Sequence, residues 1–145
     1  MSELVKAGFK VTVLSRLSSD SNATLPDGVT LRKVDYGSVD SIRPAVEGQD
    51  AVVSVLGTFA VGFQQPLVDA SLAAGVKRFI PSEFGVNTRK AIGKPLGKLL
   101  LFKIQLVDYL EAKAKENPNF TWTGISIGLF FDSVRPLLLF SSGTS

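Results

Sequence analysis

Short apolar runs rich in β-branched residues alternate with stretches of helical period along most of this chain. Residues 10–16 (Lys-Val-Thr-Val-Leu-Ser-Arg), 29–34, 51–56 (Ala-Val-Val-Ser-Val-Leu), 78–81 and 121–127 (Thr-Trp-Thr-Gly-Ile-Ser-Ile) have the pattern of strands in a buried parallel sheet. Between them, residues 2–7 read as the last turns of a helix stopped by Gly8. Ser38 or Asp40 can cap a helix running to Glu47, and Gly48 ends it. Residues 64–74 place Leu67, Val68, Ser71 and Leu72 on one helical face, with Gly75 as the stop. The longest helix is expected over 98–115, with Leu99, Phe102, Leu106 and Leu110 as its apolar stripe and Glu116-Asn117-Pro118 as its end. Residues 17–28, 59–62 and 87–97 read as loops. Strands alternating with helices predict an α/β fold with a doubly wound parallel sheet.

Composition narrows the chemistry more than the fold. The 145 residues suit one domain or part of a larger one, and 45% hydrophobic with 20% charged residues describes a globular chain. The net charge of +3 is dispersed, so nucleic-acid binding is not indicated. There is no Cys and no His, which excludes disulfides, thiolate or imidazole metal sites, cysteine nucleophiles and histidine triads. Acid–base work must fall to Lys, Tyr, Asp, Glu or a cofactor. No apolar run is long enough to span a bilayer and the N-terminus has no signal-peptide pattern, so no membrane role and a cytoplasmic location are expected. Residues 133–145 contain the apolar run 137–140 and finish in Ser-Ser-Gly-Thr-Ser, the look of a disordered end.

In open α/β sheets, ligands bind outside the carboxyl ends of the strands. The stretch Arg78-Phe-Ile-Pro-Ser-Glu-Phe-Gly85 is such an exit, and it sets Ser82, Glu83 and Phe84 where a site would be built. A plain Pro/Gly turn reads the same. Ser15 and Arg16 close the first visible strand. In a dinucleotide fold an Arg there accommodates the 2′-phosphate of NADP; a solvated strand-end arginine is the alternative. Asp35 and Tyr36 would lie near the adenine, or begin an Asx turn. Gly57 and Thr58 end the third strand, where glycine admits close approach of a ligand or merely stops the strand. Lys103 sits early in the long helix between apolar Phe102 and Ile104, which would desolvate its amine for acid–base duty; a solvated lysine on the polar face is the alternative. Tyr109 and Lys113 fit the Tyr-x-x-x-Lys spacing of short-chain dehydrogenases. However, Tyr109 lies about 9 Å further along the helix than Lys103, away from the strand ends, and reads as structural.

Taken in order, Ala7-Gly-Phe-Lys-Val-Thr-Val-Leu-Ser-Arg16, Ala74-Gly-Val-Lys-Arg-Phe-Ile-Pro-Ser-Glu-Phe-Gly85, Phe102-Lys103 and Thr121-Trp-Thr-Gly-Ile-Ser-Ile-Gly-Leu-Phe130 resemble the NmrA-like, isoflavone reductase-like family of atypical short-chain dehydrogenases. The resemblance implies a Rossmann-like NADP-binding domain over residues 1–132, with 133–145 as the start of a substrate portion. It implies hydride transfer from NADPH to a small aromatic or phenolic substrate. It maps the catalytic acid–base lysine onto Lys103, the 2′-phosphate contact onto Arg16, and the loop beside the nicotinamide onto Ser82, Glu83 and Phe84. Family members open with a strand and a Gly-x-x-Gly-x-x-Gly turn that cradles the pyrophosphate at a helix N-terminus. This chain starts within that helix and has no such motif. The expectations are therefore a domain truncated at both ends, lacking its first strand and Gly-rich turn, with cofactor binding weakened or lost and activity open to loss with it. Exposed sheet edges would then offer a route to a dimer. The rival expectation is a dinucleotide-sensing regulatory or protein-interaction module without turnover.

Overall fold

The computed structural model describes residues 1–19 and 25–128. Part of the predicted 17–28 loop, the exit over 129–131, the boundary at 132 and the tail 133–145 lie outside the described residues. The elements run α1 (Ser2–Lys6), β1 (Val11–Arg16), β2 (Val29–Val34), α2 (Val39–Val46), β3 (Ala51–Val53), a 3-10 turn (Thr58–Phe63), α3 (Gln64–Ala73), β4 (Arg78–Ile80), a second 3-10 turn (Arg89–Ala91), α4 (Pro95–Leu99), α5 (Leu101–Glu116) and β5 (Thr121–Trp122).

Each predicted strand is present, but β3 and β5 stop short of Leu56 and Ile127. Both pair only with β4, and β4 runs into Pro81, which has no N–H to extend a ladder. Single bonds carry the pairing a step further, from Ser54 N–H to the Ile80 carbonyl at 2.8 Å and from Thr123 N–H to the Phe79 carbonyl at 3.1 Å. The helix starts and stops follow local chemistry. Ser38 caps α2 by accepting from Ser41 N–H, as its hydroxyl predicts. Behind α3, Gly75 takes a φ of 75° that other residues avoid. Gly75 N–H then reaches the Leu72 carbonyl, and Val76 N–H the Ser71 carbonyl, the paired bonds of a Schellman stop.

Two departures concern the second half. The expected 59–62 loop lies within the 3-10 turn Thr58–Phe63, and the expected helix over 98–115 is two helices broken at Leu100. At Gly97 the α4 backbone rests on the Ala91 carbonyl too closely for any side chain, which fixes α4 against the second 3-10 turn. After the break the first turn of α5 stands outside the core. Phe102 is accordingly 64% exposed, not part of the stripe. The buried positions of α5 are Leu106, Val107 and Leu110. The Leu99 side chain lies outside the described part.

Within each sheet every pairing is parallel. β1 pairs with β2 in one sheet, and β3-β4-β5 form the other. Among the described residues β1 is not hydrogen-bonded to β3 and their inner edges are open, in line with the exposed sheet edges expected from the sequence. Beside that edge Val53 and Val55 are 50% and 76% exposed. Packing, not a ladder, joins the two sheets: Val34, Ile42, Val46, Val52, Val68, Phe79, Leu110 and Phe120 belong to one buried cluster, with Leu14, Tyr36 and Trp122 against it. Among the described residues no helix is long and apolar enough to cross a membrane.

Tyr109 works in this packing. Its hydroxyl donates to Asp69 Oδ1, tying α5 to α3, and Lys113 Nζ stands 5.5 Å from its ring centroid. Burial, then the hydrogen bond to Asp69, pushes the phenol up to about 12. A phenol so held is a poor proton donor or acceptor at neutral pH, so the Tyr-x-x-x-Lys spacing here serves packing.

Leu110→Ala should lower the unfolding free energy by about 2–5 kcal/mol in urea melts, while Phe102→Ala should change it by less than about 0.5 kcal/mol; equal losses would put Phe102 back in the core. Because the folded phenol of Tyr109 titrates above the ordinary tyrosine value of 10.0, its contribution to stability is complete below about pH 10 and disappears as pH climbs towards about 12. Tyrosinate absorbance of Tyr36→Phe protein should therefore rise only well above pH 10, and Asp69→Asn should bring the rise to lower pH.

Candidate functional site

The candidate residues fall into two groups, each at strand carboxyl ends. The first closes β1 and β2, where Arg16 sits in register with Val34. The Tyr36 hydroxyl reaches back to the Leu14 carbonyl at 2.9 Å, which lays its ring across the ends of both strands. Burial raises the Tyr36 phenol, and the charge of Arg16 partly offsets this. Asp35 spends its carboxylate locally: Oδ1 accepts from Gly37 N–H at 2.9 Å, while Asp35 N–H donates to Ser41 Oγ at 2.9 Å. That is the Asx turn weighed against an adenine contact. Ser15 differs, because its hydroxyl is buried and has no partner. Arg16 is exposed and makes no ion pair among the described residues. The exposed guanidinium of Arg16 is chemically suited to a phosphate, while the Ser15 hydroxyl lies buried on the neighbouring strand position.

The second group gathers where β3 and β4 end. Ser82 is buried and committed on two sides: its N–H donates to Gln64 Oε1 at 2.8 Å and its hydroxyl to the Leu56 carbonyl at 2.7 Å. Glu83 is 5% exposed; its Oε2 accepts from Thr88 Oγ1 at 2.8 Å, and its Oε1 has no partner. The turn here is tight, with Glu83 N–H on the Pro81 carbonyl at 2.7 Å and Phe84 at a φ of 21°, a region that non-glycine residues avoid. Gly57 precedes the 3-10 turn with open space where a side chain would stand, so no packing constraint calls for glycine there. Thr58 opens that turn, and its side chain lies outside the described part.

Lys103 completes the group. Its Nζ donates to the Glu83 carbonyl at 2.8 Å, and the side chain is half-buried. The lysine lies in the first turn of α5, where a cation opposes the helix dipole, so the carbonyl rather than the helix holds it. Phe102 is too exposed to desolvate the amine as the sequence suggests; the amine instead donates to the Glu83 carbonyl. The loop from Glu83 is tied back to α5 a second time. Thr88 bonds Glu83, and neighbouring Arg89 reaches Asp108 and Glu111 at 2.6 Å each.

Gln64 is the residue that the sequence reading passes over. Its side chain is 0% exposed and bridges Ser82 N–H and, at 3.5 Å, the Val61 carbonyl. The signal was available: Gln64 stands on the same helical face as Leu67, Val68 and Ser71, where a polar residue must have a buried partner.

Known proteins place this arrangement. Oxidoreductase aprR of Aspergillus flavus is 41% identical over 127 residues, which cover 86% of this chain and 41% of that protein. The isoflavone reductase homolog IRL of Zea mays is 45% identical over 87 residues, 59% of this chain and 28% of its own. The chain thus spans well under half the length of these relatives. Among solved structures, AtPrR2 with NADP+ and (+)pinoresinol is 25% identical with a TM-score of 0.75, over 99% of this chain and 49% of that one. A crystal structure of isoflavone reductase is 23% identical with a TM-score of 0.72, over 91% and 45%. The fold is thus the Rossmann-like parallel α/β fold of these reductases. The NmrA-like family model matches residues 1–142, so nearly every element described above lies within it, and the chain belongs to the NmrA-like family.

Proposed function

We propose that this chain is the dinucleotide-binding part of an NADP-dependent reductase, with Lys103 as its acid–base group. The observation that carries the reading is Lys103 Nζ held 2.8 Å from the Glu83 carbonyl, at the mouth formed where β3 and β4 end. NADPH and NADP+ appear with solved reductases of the same fold, among them leucoanthocyanidin reductase from Vitis vinifera and AtPrR2. Substrate of a small aromatic class follows from the pinoresinol named with AtPrR2.

The residues present fit one end of the cofactor. Arg16 and the unpartnered hydroxyl of Ser15 would take the 2′-phosphate, and Tyr36 would flank the adenine, while Asp35 shapes the turn beneath them. At the other end Gly57 leaves open space before the 3-10 turn that Thr58 begins, and Ser82, Glu83 and Phe84 would form the wall nearest the lysine. The bound cofactor supplies a hydride. Lys103 supplies or takes the matching proton at Nζ, with the Glu83 carbonyl keeping the amine in place while it does so.

Calorimetric titration should show NADPH binding more tightly than NADH, and Arg16→Ala should remove about 1–3 kcal/mol of the NADPH preference, as loss of a charged hydrogen bond does. Equal affinity for the two dinucleotides in the unmodified chain would overturn the assignment of Arg16. Turnover of phenolic substrates by a longer relative carrying the lysine should fall about 100-fold or more on its change to Ala, with NADPH affinity kept. Undiminished turnover would remove the lysine role and favour a dinucleotide-sensing module instead.

A further inference from the structure

We propose that Gln64 is a positioning residue that fixes Lys103 through two intermediates, Ser82 and the Glu83 carbonyl. Four bonds carry the inference. Gln64 Oε1 accepts from Ser82 N–H at 2.8 Å, and the Ser82 hydroxyl donates to the Leu56 carbonyl at 2.7 Å. Glu83 N–H turns back on the Pro81 carbonyl at 2.7 Å, and the Glu83 carbonyl receives Lys103 Nζ at 2.8 Å. The lysine is therefore held by a backbone carbonyl whose own place is set one residue earlier.

Ser82 has two anchors, and they differ in kind. The Leu56 carbonyl belongs to the chain leaving β3, whereas Gln64 projects from α3, which lies in the core through Leu67, Val68, Ala70 and Ser71. Gln64 thus transmits the rigidity of the core to the turn. Without its acceptor, Ser82 N–H would be buried and unsatisfied, and the turn would move to expose it. Phe84, next in the turn at a φ of 21°, gives the movement a direction, because relaxation towards ordinary backbone angles carries the Glu83 carbonyl with it.

Only the catalytic meaning of this positioning rests on the proposed function; the geometry can be tested without turnover. Competitive acetylation with mass-spectrometric readout reports each lysine against the others. In Gln64→Met, of similar shape but without the acceptor, Lys103 should react about threefold or more faster relative to Lys10 and Lys113, while the far-ultraviolet spectrum stays native. Gln64→Glu, which retains an oxygen for Ser82 N–H, should keep Lys103 within about twofold of the original. Unchanged Lys103 reactivity in folded Gln64→Met would overturn the inference, and so would an equal rise at every lysine, since that reports general loosening. Should Gln64→Met not fold, Gln64→Asn, whose shorter side chain withdraws the acceptor from Ser82 N–H, must raise Lys103 reactivity selectively, or the inference fails. Ordinary turnover by a Lys103→Ala enzyme would end the acid–base reading but leave this result standing.

Discussion

The buried amide of Gln64 is the constraint on which the strand-end loops depend. Ser82 N–H has been withdrawn from water, and an unmet donor there costs about 1–3 kcal/mol. Gln64 meets it from α3, the helix with its apolar face in the core. From that bond the rest follows outwards: the Ser82 hydroxyl secures the end of β3, Glu83 turns sharply, and its carbonyl receives Lys103. Thr88 and Arg89 close the circuit by returning the loop to α5. A lysine in the first turn of a helix has little reason to stay near the backbone of a distant loop. Here the loop was made rigid first, and the lysine answers to it.

The same economy is absent from the middle of the molecule. β1 and β3 keep their inner edges unpaired, and the two sheets share a core instead of a ladder. Apolar packing is non-directional and so can join sheets that do not hydrogen-bond. It leaves Val53 and Val55 exposed beside an open edge, however. The strand ends around Ser82 and Glu83 differ, since there side-chain hydrogen bonds hold the chain in place.

Much of this was legible. β-branched runs gave the five strands, since parallel strands buried on both faces have few other ways to look, and Ser38 announced the start of α2. The Pro81–Phe84 exit was also readable as a place where an α/β sheet opens, and Lys103 does come to it, with Nζ on the Glu83 carbonyl. Three things were not. The stripe through Phe102 failed because period marks a face and not how far along the helix the core extends: α5 begins at Leu101, and Phe102 in its first turn lies beyond the core that covers Leu106 and Leu110. The lengths of β3 and β5 depended on β4, their shared neighbour, and not on their own residues. Gln64 was missed because a glutamine at a helix start ordinarily faces water. Its partner lies 18 residues away, and no local pattern contains it.

The Schellman stop after α3 bears on how the molecule assembles. It returns the chain at once into β4, so β3, α3 and β4 are built from one contiguous stretch, and β4 meets β3 in register after a short crossover. The entropy cost of loop closure is lower there than at β5, which reaches β4 only after the whole of α4 and α5 has intervened. Contact order therefore favours the pairing of β3 with β4 before β5 joins them. Gln64 lies inside that stretch and Ser82 just beyond it, so the bond between them is in place before α5 brings Lys103 to the turn.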